Sequence, residues 1–352
     1  MKIAYLTFEV PGGHSGVAKK ISAQAADWRG RGHEVRHFIL ARPTLPRTPD
    51  TAFLLTTSLR PPILAAALSF ASIRRALRNW QPDIIYLRQM LWWPGAVSAI
   101  NVAPMVIEYN SIARNEYRGA APAKSLLERL SRHWFPAAAA GLVAVTQELA
   151  DDVPPGRALR AVISNGFDFS RAQARRPPHN TRAQLLLVGS PGQPWHGVDK
   201  VQRLAGLMPE CDFHVVVPGL HGPGTENLQF HGGLYGADLA QRYAQTDVAI
   251  GTLALHRKGM QQAAPLKTRE YLAHGIPVMA GYADADLQGA DYWLNIGNAP
   301  NNVEEGVGAM RTFVQAWRGR LPDRQDIERR LSYASKETQR LAFFERVLQH
   351  AG

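Results

Sequence analysis

Short apolar runs alternate with amphipathic stretches along the first half of the chain. The runs have the length of β-strands, and the stretches between them repeat their apolar positions at helical spacing. In chain order these segments are residues 2–8, 17–31, 34–40, 61–80, 83–88, 104–110, 123–135 and 141–146. The alternation predicts an α/β domain with a doubly wound parallel sheet and a ligand crevice at the carboxyl ends of its strands.

The pattern restarts after a polar, proline-bearing segment at residues 171–182. The second series comprises residues 183–190, 198–208, 212–219, 227–233, 237–245, 247–253, 265–274, 276–282 and 292–297. With a boundary between Phe167 and Thr181, we expect two Rossmann-like domains, residues 1–167 and 168–335, that face a central cleft. A last amphipathic helix within residues 336–352 is expected to pack against either half.

Composition agrees with two globular domains. The 352 residues are 45% hydrophobic and 20% charged, and the single cysteine, Cys211, excludes an intramolecular disulfide and a structural zinc site of several thiolates. Glu9 and the lack of a small-residue cleavage site favour a first strand over a signal peptide. The longest apolar stretch, residues 61–73, falls short of the roughly 18–20 residues that span a bilayer. A cytoplasmic protein is expected.

The positive charge is concentrated in the first half. The formal net charge is +11, and residues 1–165 carry 20 Lys and Arg against 11 Asp and Glu, a net charge of +9. Such a field attracts nucleic acid, an anionic membrane or an acidic substrate. The sequence lacks a recognition motif of basic and aromatic residues for nucleic acid, so we expect no nucleic-acid partner.

A glycine-rich turn follows the first strand. Gly12, Gly13 and Gly16 precede a helix that starts near Val17, and glycines there let a phosphate approach the helix N-terminus. Neither the phosphate loop of nucleoside triphosphatases nor G-x-G-x-x-G is present, which disfavours dinucleotide binding. A tight turn without a ligand remains the alternative.

The second half contains a more informative unit. A strand that ends at Leu253 leads into a basic loop and then a helix over residues 265–274. Pro265 suits the opening turn of this helix, and Gly275 suits its C-terminal cap. The amides near Leu266 and Lys267 can face an anion, and Glu270 can accept two hydrogen bonds from a ribose diol.

Four segments together resemble retaining glycosyltransferases of the GT-B fold, in particular glycosyltransferase family 4. They are GG at 12–13, SNGFD at 164–168, W-x-G-x-D at 195–199 and E-Y-x-A-x-G-x-P-V at 270–278, and the resemblance covers nearly the whole chain. It implies that Glu270 binds the ribose of a nucleotide sugar. It also implies that backbone amides at Ala264, Leu266 and Lys267 hold the sugar and the diphosphate.

The chain departs from the family pattern in several positions. Gln262 stands where the first glutamate of the signature is expected, and an amide can still bind sugar hydroxyls. In the loop that ends at Gly197, Ser190 and His196 replace the usual arginine and lysine, and Arg88 replaces a first-domain histidine. We therefore expect Arg257, Lys258 and Lys267 to neutralise the diphosphate.

Further candidates flank other strands. Glu108 and Asn110 follow a strand end, where they either bind acceptor hydroxyls and act as a base or satisfy loop backbone groups. His14 is a candidate for phosphate or sugar contact, with a surface residue as the alternative. Tyr235 is a candidate neighbour of the nucleobase. The histidines in the second half lack metal-ligand spacing, so no metal is expected.

One helix combines basic and apolar residues. Its members are Lys124, Leu126, Leu127, Arg129, Leu130, Arg132, His133, Trp134 and Phe135. This composition suits peripheral contact with an anionic membrane, and a solvated helix face is the alternative.

The sequence thus predicts a retaining, metal-independent hexosyltransferase without a resident cofactor. Its donor would be a UDP- or GDP-linked sugar, and its acceptor a glycan or lipid-linked saccharide of bacterial-type surface polysaccharide or glycolipid synthesis. It would work in the cytoplasm or on the inner face of the cell membrane. A nucleotide-sugar 2-epimerase of the same fold and a non-catalytic glycan-binding subunit are the alternatives.

Overall fold

The computed structural model of the chain describes residues 1–11, 15–41, 49–55, 62–116, 122–172 and 175–351. It divides into two compact units. The first unit comprises Met1–Ser164 with Tyr333–Gly352, and the second unit comprises Asn165–Ser332. The chain therefore leaves the first unit once and returns to it for its last helix.

The first unit is built on a parallel sheet that has seven strands in the described residues. The strands are β1 (Lys2–Thr7), β2 (Glu34–Ile39), β3 (Thr51–Phe53), β4 (Ile84–Arg88), β5 (Met105–Tyr109), β6 (Gly141–Ala144) and β7 (Leu159–Val162). Their order is β3-β2-β1-β4-β5-β6-β7, with parallel pairing throughout. The order reverses between β1 and β4, which is where doubly wound sheets bind ligands.

Short and medium helices connect these strands. They are α1 (Gly16–Gly30), α2 (Pro62–Leu68), α3 (Phe70–Trp80), α4 (Ala96–Ile100), α5 (Ala113–Glu116), α6 (Pro122–Ser131), α7 (Trp134–Ala138) and α8 (Gln147–Asp152). Ser15 caps the N-terminus of helix α1, and its hydroxyl accepts a 3.0 Å hydrogen bond from the Ala18 N–H. This cap satisfies one of the N–H groups that a helix N-terminus leaves without an intrahelical partner.

The second unit contains another sheet, for which the described part of the chain again supplies seven strands. Its strands are β8 (Ala183–Val188), β9 (Cys211–Val216), β10 (His221–Pro223), β11 (Leu228–His231), β12 (Val248–Ile250), β13 (Val278–Ala280) and β14 (Trp293–Asn295). The order is β10-β11-β9-β8-β12-β13-β14, and β10 pairs antiparallel with β11 while the other pairs are parallel. The order reverses between β8 and β12.

Helices cover both faces of this second sheet. They are α9 (Val198–Leu207), α10 (Gly236–Gln245), α11 (Leu266–Ala273), α12 (Asn302–Trp317) and α13 (Arg324–Leu331). Leu185, Leu186 and Leu187 in β8 are fully buried, as expected of a parallel strand that is covered on both faces.

The last helix, α14 (Tyr333–Ala351), packs on the first unit. The ring of Phe344 lies 5.6 Å from that of Trp28 and 5.2 Å from that of Tyr86, measured between centroids. All three side chains are fully buried, and each stabilises the fold by about 1.5–3 kcal/mol or more through burial. The core of the first unit is therefore completed by residues from the end of the chain.

Several boundaries differ from the sequence-based expectations. The units divide three residues before the expected 167/168 boundary, and α14 starts three residues before 336. The helix expected over 123–135 is two helices, because Pro136 has no N–H to donate to Arg132 and its ring would clash with that carbonyl. The helices α4, α5, α8, α12 and α13 and the short strands β3, β7 and β10 were not predicted from the sequence.

A membrane-spanning helix is not found among the described residues: none of their helices is both long and apolar enough to cross a bilayer.

Candidate functional site

Helix α11 starts where the second sheet reverses its strand order. Its side chains dock it on the end of β8: the Lys267 Nζ donates to the Val188 carbonyl at 2.9 Å, and the Val188 N–H donates to the Tyr271 hydroxyl at 2.7 Å. Lys267 and Tyr271 are four residues apart and share a helix face. The opening turn of α11, whose first N–H groups have no intrahelical partner, is thereby fixed beside the carboxyl end of β8.

The charge of Lys267 is sensitive to its surroundings. Burial lowers the pKa of its ammonium group to about 7. A nearby anion favours the charged form of such a group. Lys267 can therefore supply a positive charge to an anionic ligand at the start of α11.

Glu270 lies one turn after Lys267 and is half-buried. The hydroxyl of Tyr243, a buried residue of α10, donates a hydrogen bond to its carboxylate. A carboxylate has about four acceptor positions, so this bond orients the group and leaves capacity for further donors.

The backbone ahead of α11 is fixed from one side by residue 283. Gln262 pairs with Ala283 in an isolated parallel bridge. The Ala263 N–H donates to the Ala283 carbonyl at 3.1 Å, and the Ala283 N–H donates to the Gln261 carbonyl at 3.0 Å. Gln262 therefore has a defined backbone position close to the start of α11.

Asn165 fixes the same segment from another side. Its Nδ2 donates to the Ala264 carbonyl at 2.7 Å, and its own carbonyl accepts from the Arg269 Nε at 3.1 Å. Arg269 is fully buried and forms ion pairs with Asp284 and Asp286. Asn165 belongs to the SNGFD segment that the sequence singled out, whereas Arg269 and its acidic partners were not predicted. The signal for them was an arginine within the buried face of α11.

His196 is a neutral structural residue of the loop after β8. It is buried, and burial together with the charges of Lys267 and Lys258 lowers its pKa to about 3. Its unprotonated Nδ1 accepts a 3.2 Å hydrogen bond from the Ser190 N–H. His196 therefore cannot supply the positive charge of the lysine that the family pattern has at this position. The contact that Ser190 makes with His196 is through its backbone N–H.

Two loops of the second unit are joined by backbone hydrogen bonds. The N–H groups of Leu253 and Ala254 donate to the carbonyls of His196 and Trp195 at 3.2 and 3.1 Å. Gly197 adopts φ +76°, and a Cβ there would lie 3.0 Å from the Cβ of Leu253. This close approach explains a glycine at position 197.

Arg257 and Lys258 both contact the loop that contains Trp195, and their expected contact with a diphosphate stays a prediction. Arg257 forms a two-bond ion pair with Asp199 at 2.8 and 2.7 Å and donates to the Pro194 carbonyl at 2.9 Å. The Lys258 ammonium lies 4.8 Å from the ring centroid of Trp195. Because Asp199 already compensates the charge of Arg257, both cations hold the two loops together in this structure.

Tyr235 precedes α10 and is 65% exposed. Its extended backbone, with φ −143° and ψ 160°, places it immediately before the first residue of the helix. An exposed ring is accessible to a planar ligand, so its expected contact with a nucleobase stays a prediction.

Glu108 in the first unit does not match its predicted role as an acceptor ligand or base. It is fully buried, and its carboxylate lies 2.8 Å from the Lys20 Nζ and 3.5 Å from guanidinium nitrogens of Arg88 and Arg340. Burial alone would raise its pKa, but these three cations hold the pKa of Glu108 well below its usual range. The carboxylate is therefore a structural anion with no tendency to accept a proton.

Asn110 belongs to the same buried cluster. Its Oδ1 accepts from the Lys20 Nζ at 3.2 Å, and its Nδ2 donates to Glu108 at 3.0 Å. Both ends of the amide thus contact the cluster, and because Asn110 is half-buried its expected catalytic role stays a prediction. Gly16 is exposed as the first residue of α1, whereas Gly12, Gly13 and His14 lie outside the described residues.

Comparison with known families and structures agrees with this architecture. Residues 14–171 match the model of Glycosyltransferase Family 4. Sucrose-phosphate synthase from Thermosynechococcus elongatus superimposes with a TM-score of 0.74 at 14% identity, and the match covers 100% of both chains. The fold is GT-B.

Two further GT-B structures are similar over almost the whole chain. The lipopolysaccharide outer core galactosyltransferase WaaB in its apo form gives a TM-score of 0.67 at 15% identity. Anabaena HepE in complex with UDP and glucose gives 0.66 at 16% identity. Each match covers 98% of this chain and 100% of the other. No curated protein matches the chain in sequence.

Proposed function

We propose that the protein is a retaining, metal-independent glycosyltransferase of family 4 that uses a nucleoside diphosphate sugar. Its acceptor would be a glycan or lipid-linked saccharide of surface polysaccharide or glycolipid synthesis. The family model over residues 14–171 and the GT-B fold support a glycosyltransferase. The observation that carries donor binding is the opening of α11, where Lys267 and Glu270 lie one turn apart beside the end of β8.

In this proposal the start of α11 binds the nucleotide. The N–H groups of Leu266 and Lys267 and the Lys267 ammonium face the diphosphate, since helix N-termini favour anions. The carboxylate of Glu270, oriented by Tyr243, accepts the ribose hydroxyls. Gln262 contacts hydroxyls of the donor sugar through its amide.

The transfer step requires no protein nucleophile. The acceptor oxygen attacks the anomeric carbon on the face from which the diphosphate departs, so the configuration is retained. The bond between that carbon and the phosphate oxygen breaks, its electron pair leaves with the diphosphate, and the acceptor proton passes to the same phosphate. Amides and cations that stabilise the departing charge lower the barrier. This route agrees with the exclusion of Glu108 as a base.

Loss of the Glu270 carboxylate tests donor binding. Glu270→Ala should weaken nucleotide binding by roughly 2–3 kcal/mol, about 30- to 150-fold, if two charge-assisted hydrogen bonds are lost. Isothermal titration calorimetry with UDP and GDP measures the change, and Glu226→Ala, an exposed glutamate of the same unit, is the control. Equal affinity of both variants for the nucleotide would contradict the proposal.

Measurement of donor turnover distinguishes a glycosyltransferase from a 2-epimerase and from a non-catalytic subunit of the same fold. A thermal-shift screen against uridine, guanosine and cytidine diphosphates and their sugars identifies the donor, because a ligand of the native state raises the melting temperature. Proton NMR of this donor without acceptor would show a new sugar epimer for a 2-epimerase. A non-catalytic subunit would leave the donor unchanged with every saccharide acceptor.

A further inference from the structure

Helix α6 in the first unit exposes two leucines, whereas two of its polar side chains are turned inward. Leu126 is 58% exposed and Leu130 is 65% exposed, and their spacing of four places them on one face. On the same helix Ser131 is buried and Glu128 is half-buried. A surface helix normally has the opposite distribution, with its apolar stripe toward the core.

The polar groups of α6 are accommodated within the first unit. Ser131 donates to the Leu127 carbonyl at 2.6 Å, and burial raises the pKa of the Glu128 carboxyl group. The charges of Arg132 and Arg114 oppose this rise, so the free-energy cost of desolvating the carboxyl group is compensated only in part within the first unit. The orientation of α6, with leucines outward and Glu128 inward, is favourable when an apolar partner covers Leu126 and Leu130.

Trp134 continues the apolar surface across the break between α6 and α7. It is 47% exposed, follows Leu130 by four residues, and its ring centroid lies 4.1 Å from that of Trp92. We define the α6–α7 surface as Leu126, Leu130 and Trp134. Among the described residues nine large apolar side chains are exposed, and three of them, at a spacing of four residues, form the α6–α7 surface. Such a concentration marks an interaction site.

A cavity opens beside Trp134. Its volume is about 410 Å³, and its lining includes Trp92, Ala96, Val97, Trp134, Ala137 and Ala138. The volume lies in the range of pockets that hold small molecules, and the lining is mainly apolar. A hydrocarbon chain fits this chemistry, because it needs apolar contact and no hydrogen-bond partners.

Positive charge accompanies the apolar side chains. Arg75 and Arg78 are exposed on α3, and Lys124 and Arg129 are exposed on α6. The acidic residue of α6, Glu128, is turned inward. Basic residues beside exposed leucines and tryptophan are typical of surfaces that lie in the headgroup region of an anionic bilayer.

We propose that the α6–α7 surface inserts into an anionic bilayer and that the cavity beside Trp134 takes one acyl chain of a membrane lipid. The inference extends the proposed function, because a lipid-linked acceptor is presented at such a membrane. The exposed cations contact the anionic headgroups, and the leucines enter the boundary between headgroups and acyl chains.

Vesicle binding tests the surface without any sugar transfer. The full chain is sedimented with vesicles of phosphatidylcholine alone or of equal parts phosphatidylcholine and phosphatidylglycerol, at low salt. We expect binding to the anionic vesicles, and a loss of about tenfold or more in the double variant Leu126→Glu and Leu130→Glu. The matched control is Leu207→Glu with Leu220→Glu, which alters two exposed leucines of the second unit and should bind as the unchanged chain does.

Fluorescence tests the cavity. Phosphatidylglycerol with brominated acyl chains should quench tryptophan emission, and Trp134→Phe should remove a measurable part of the quenching. A chain that ignores anionic vesicles, or a double leucine variant that binds as tightly as the unchanged chain, would overturn the proposal. Quenching of Trp134→Phe equal to that of the unchanged chain would also overturn the proposal. So would the finding that the unchanged chain is a dimer and that the double leucine variant is a monomer.

Calorimetry with UDP and GDP on the same variants keeps the two proposals separate. The leucine substitutions should leave nucleotide affinity and the circular dichroism melting curve unchanged, because they alter exposed side chains of the first unit. If the double leucine variant loses vesicle binding and keeps nucleotide binding, the result supports the proposed membrane contact of the α6–α7 surface. Retained vesicle binding with no nucleotide binding would contradict the proposed function alone.

Discussion

Lys267 is half-buried, and its ammonium group donates a hydrogen bond to the Val188 carbonyl. Burial lowers its pKa to about 7, so its charge changes near neutral pH. A nucleotide diphosphate beside it would favour the protonated form and raise this pKa again. Binding of the anion and protonation of Lys267 are therefore linked.

The linkage predicts opposite effects of pH on binding and on stability. Affinity for a nucleoside diphosphate sugar should fall as the pH rises above about 7, because the free protein loses the proton that the complex needs. Calorimetry between pH 6 and 9 should show this decline, and Lys267→Gln should abolish it. Lys124→Gln, an exposed lysine of the first unit, should keep the decline; a pH-independent affinity of the unchanged chain would refute the prediction.

The stability change has the other sign. Unfolded Lys267 binds a proton up to about pH 10.4, whereas the folded residue releases it near 7, so this group favours folding more as the pH rises between those values.

Glu108 shows why residue roles were harder to predict than strand positions. The strand was located because residues 105–109 form a continuous apolar run with one carboxylate. In a parallel strand covered on both faces the alternation of buried and exposed positions disappears, so the pattern does not reveal where the carboxylate points. Its cations lie on α1, β4 and α14, far apart in sequence.

Removal of the Glu108 charge should destabilise the protein. Glu108→Gln removes the carboxylate that Lys20, Arg88 and Arg340 share and should cost about 3–5 kcal/mol, as is usual when one partner of a buried ion cluster is lost. Urea unfolding measures the cost, with the exposed Glu34→Gln as control. An intact stability with lost turnover would instead restore Glu108 as a catalytic group.

The pH range of this contribution follows from the lowered pKa of Glu108. A carboxyl group with a depressed folded pKa stabilises the fold at all pH values above its unfolded pKa of about 4.3. The contribution is lost as the pH falls below that value toward the folded pKa. The difference between the unchanged chain and Glu108→Gln should therefore shrink only under acidic conditions.

At the scale of elements, sequence predicted strongly periodic segments better than short ones. Pro265, Gly275 and the apolar pattern located α11 to within one residue at each end. Helix α12 was not assigned, although Val303, Met310, Val314 and Trp317 recur at helical spacing and are buried. Strand β10 (His221–Pro223) contains no apolar run, whereas the equally short β12 and β13 lie in apolar runs that the sequence located.

The docking of α11 on β8 predicts the effect of a small change. Tyr271→Phe keeps the buried ring but removes the acceptor of the Val188 N–H, which should cost about 1–3 kcal/mol. Hydrogen exchange of the peptide that covers residues 183–190 should become faster. The exposed Tyr235→Phe is the control for stability, and unchanged exchange in Tyr271→Phe would show that the hydroxyl does not hold the helix.

The whole molecule combines two similar α/β units, of which the second is formed by one continuous segment and the first by two segments. The restart of the strand and helix pattern after residue 182 predicted two α/β domains, because each series alone supplies a complete parallel sheet. The pattern did not show which unit the last helix packs on. An amphipathic sequence indicates that one face of a helix is buried, but it does not identify the surface that covers this face. The second unit is continuous, whereas the first requires α14.

Truncation at Ser332 should therefore affect the two units unequally. The shortened chain lacks Phe343 and Phe344, which are buried in the first unit, and each lost phenylalanine should cost about 3–5 kcal/mol. The combined loss is comparable to the whole free energy of unfolding of a typical domain, so the first unit should unfold. The second unit holds every element of the proposed donor site and should keep its nucleotide affinity.

Hydrogen exchange resolved by peptide distinguishes the units in this experiment. Peptides from β1, β4 and β5 should lose protection in the shortened chain, while those from β8, β9 and β12 should keep it. Calorimetry with the nucleotide found by thermal shift provides the functional measurement, and removal of Ala351 and Gly352 alone is the control. If protection of β1 survives without α14, the buried contacts between α14 and α1 are dispensable; if nucleotide binding is lost, the donor site depends on more than the second unit.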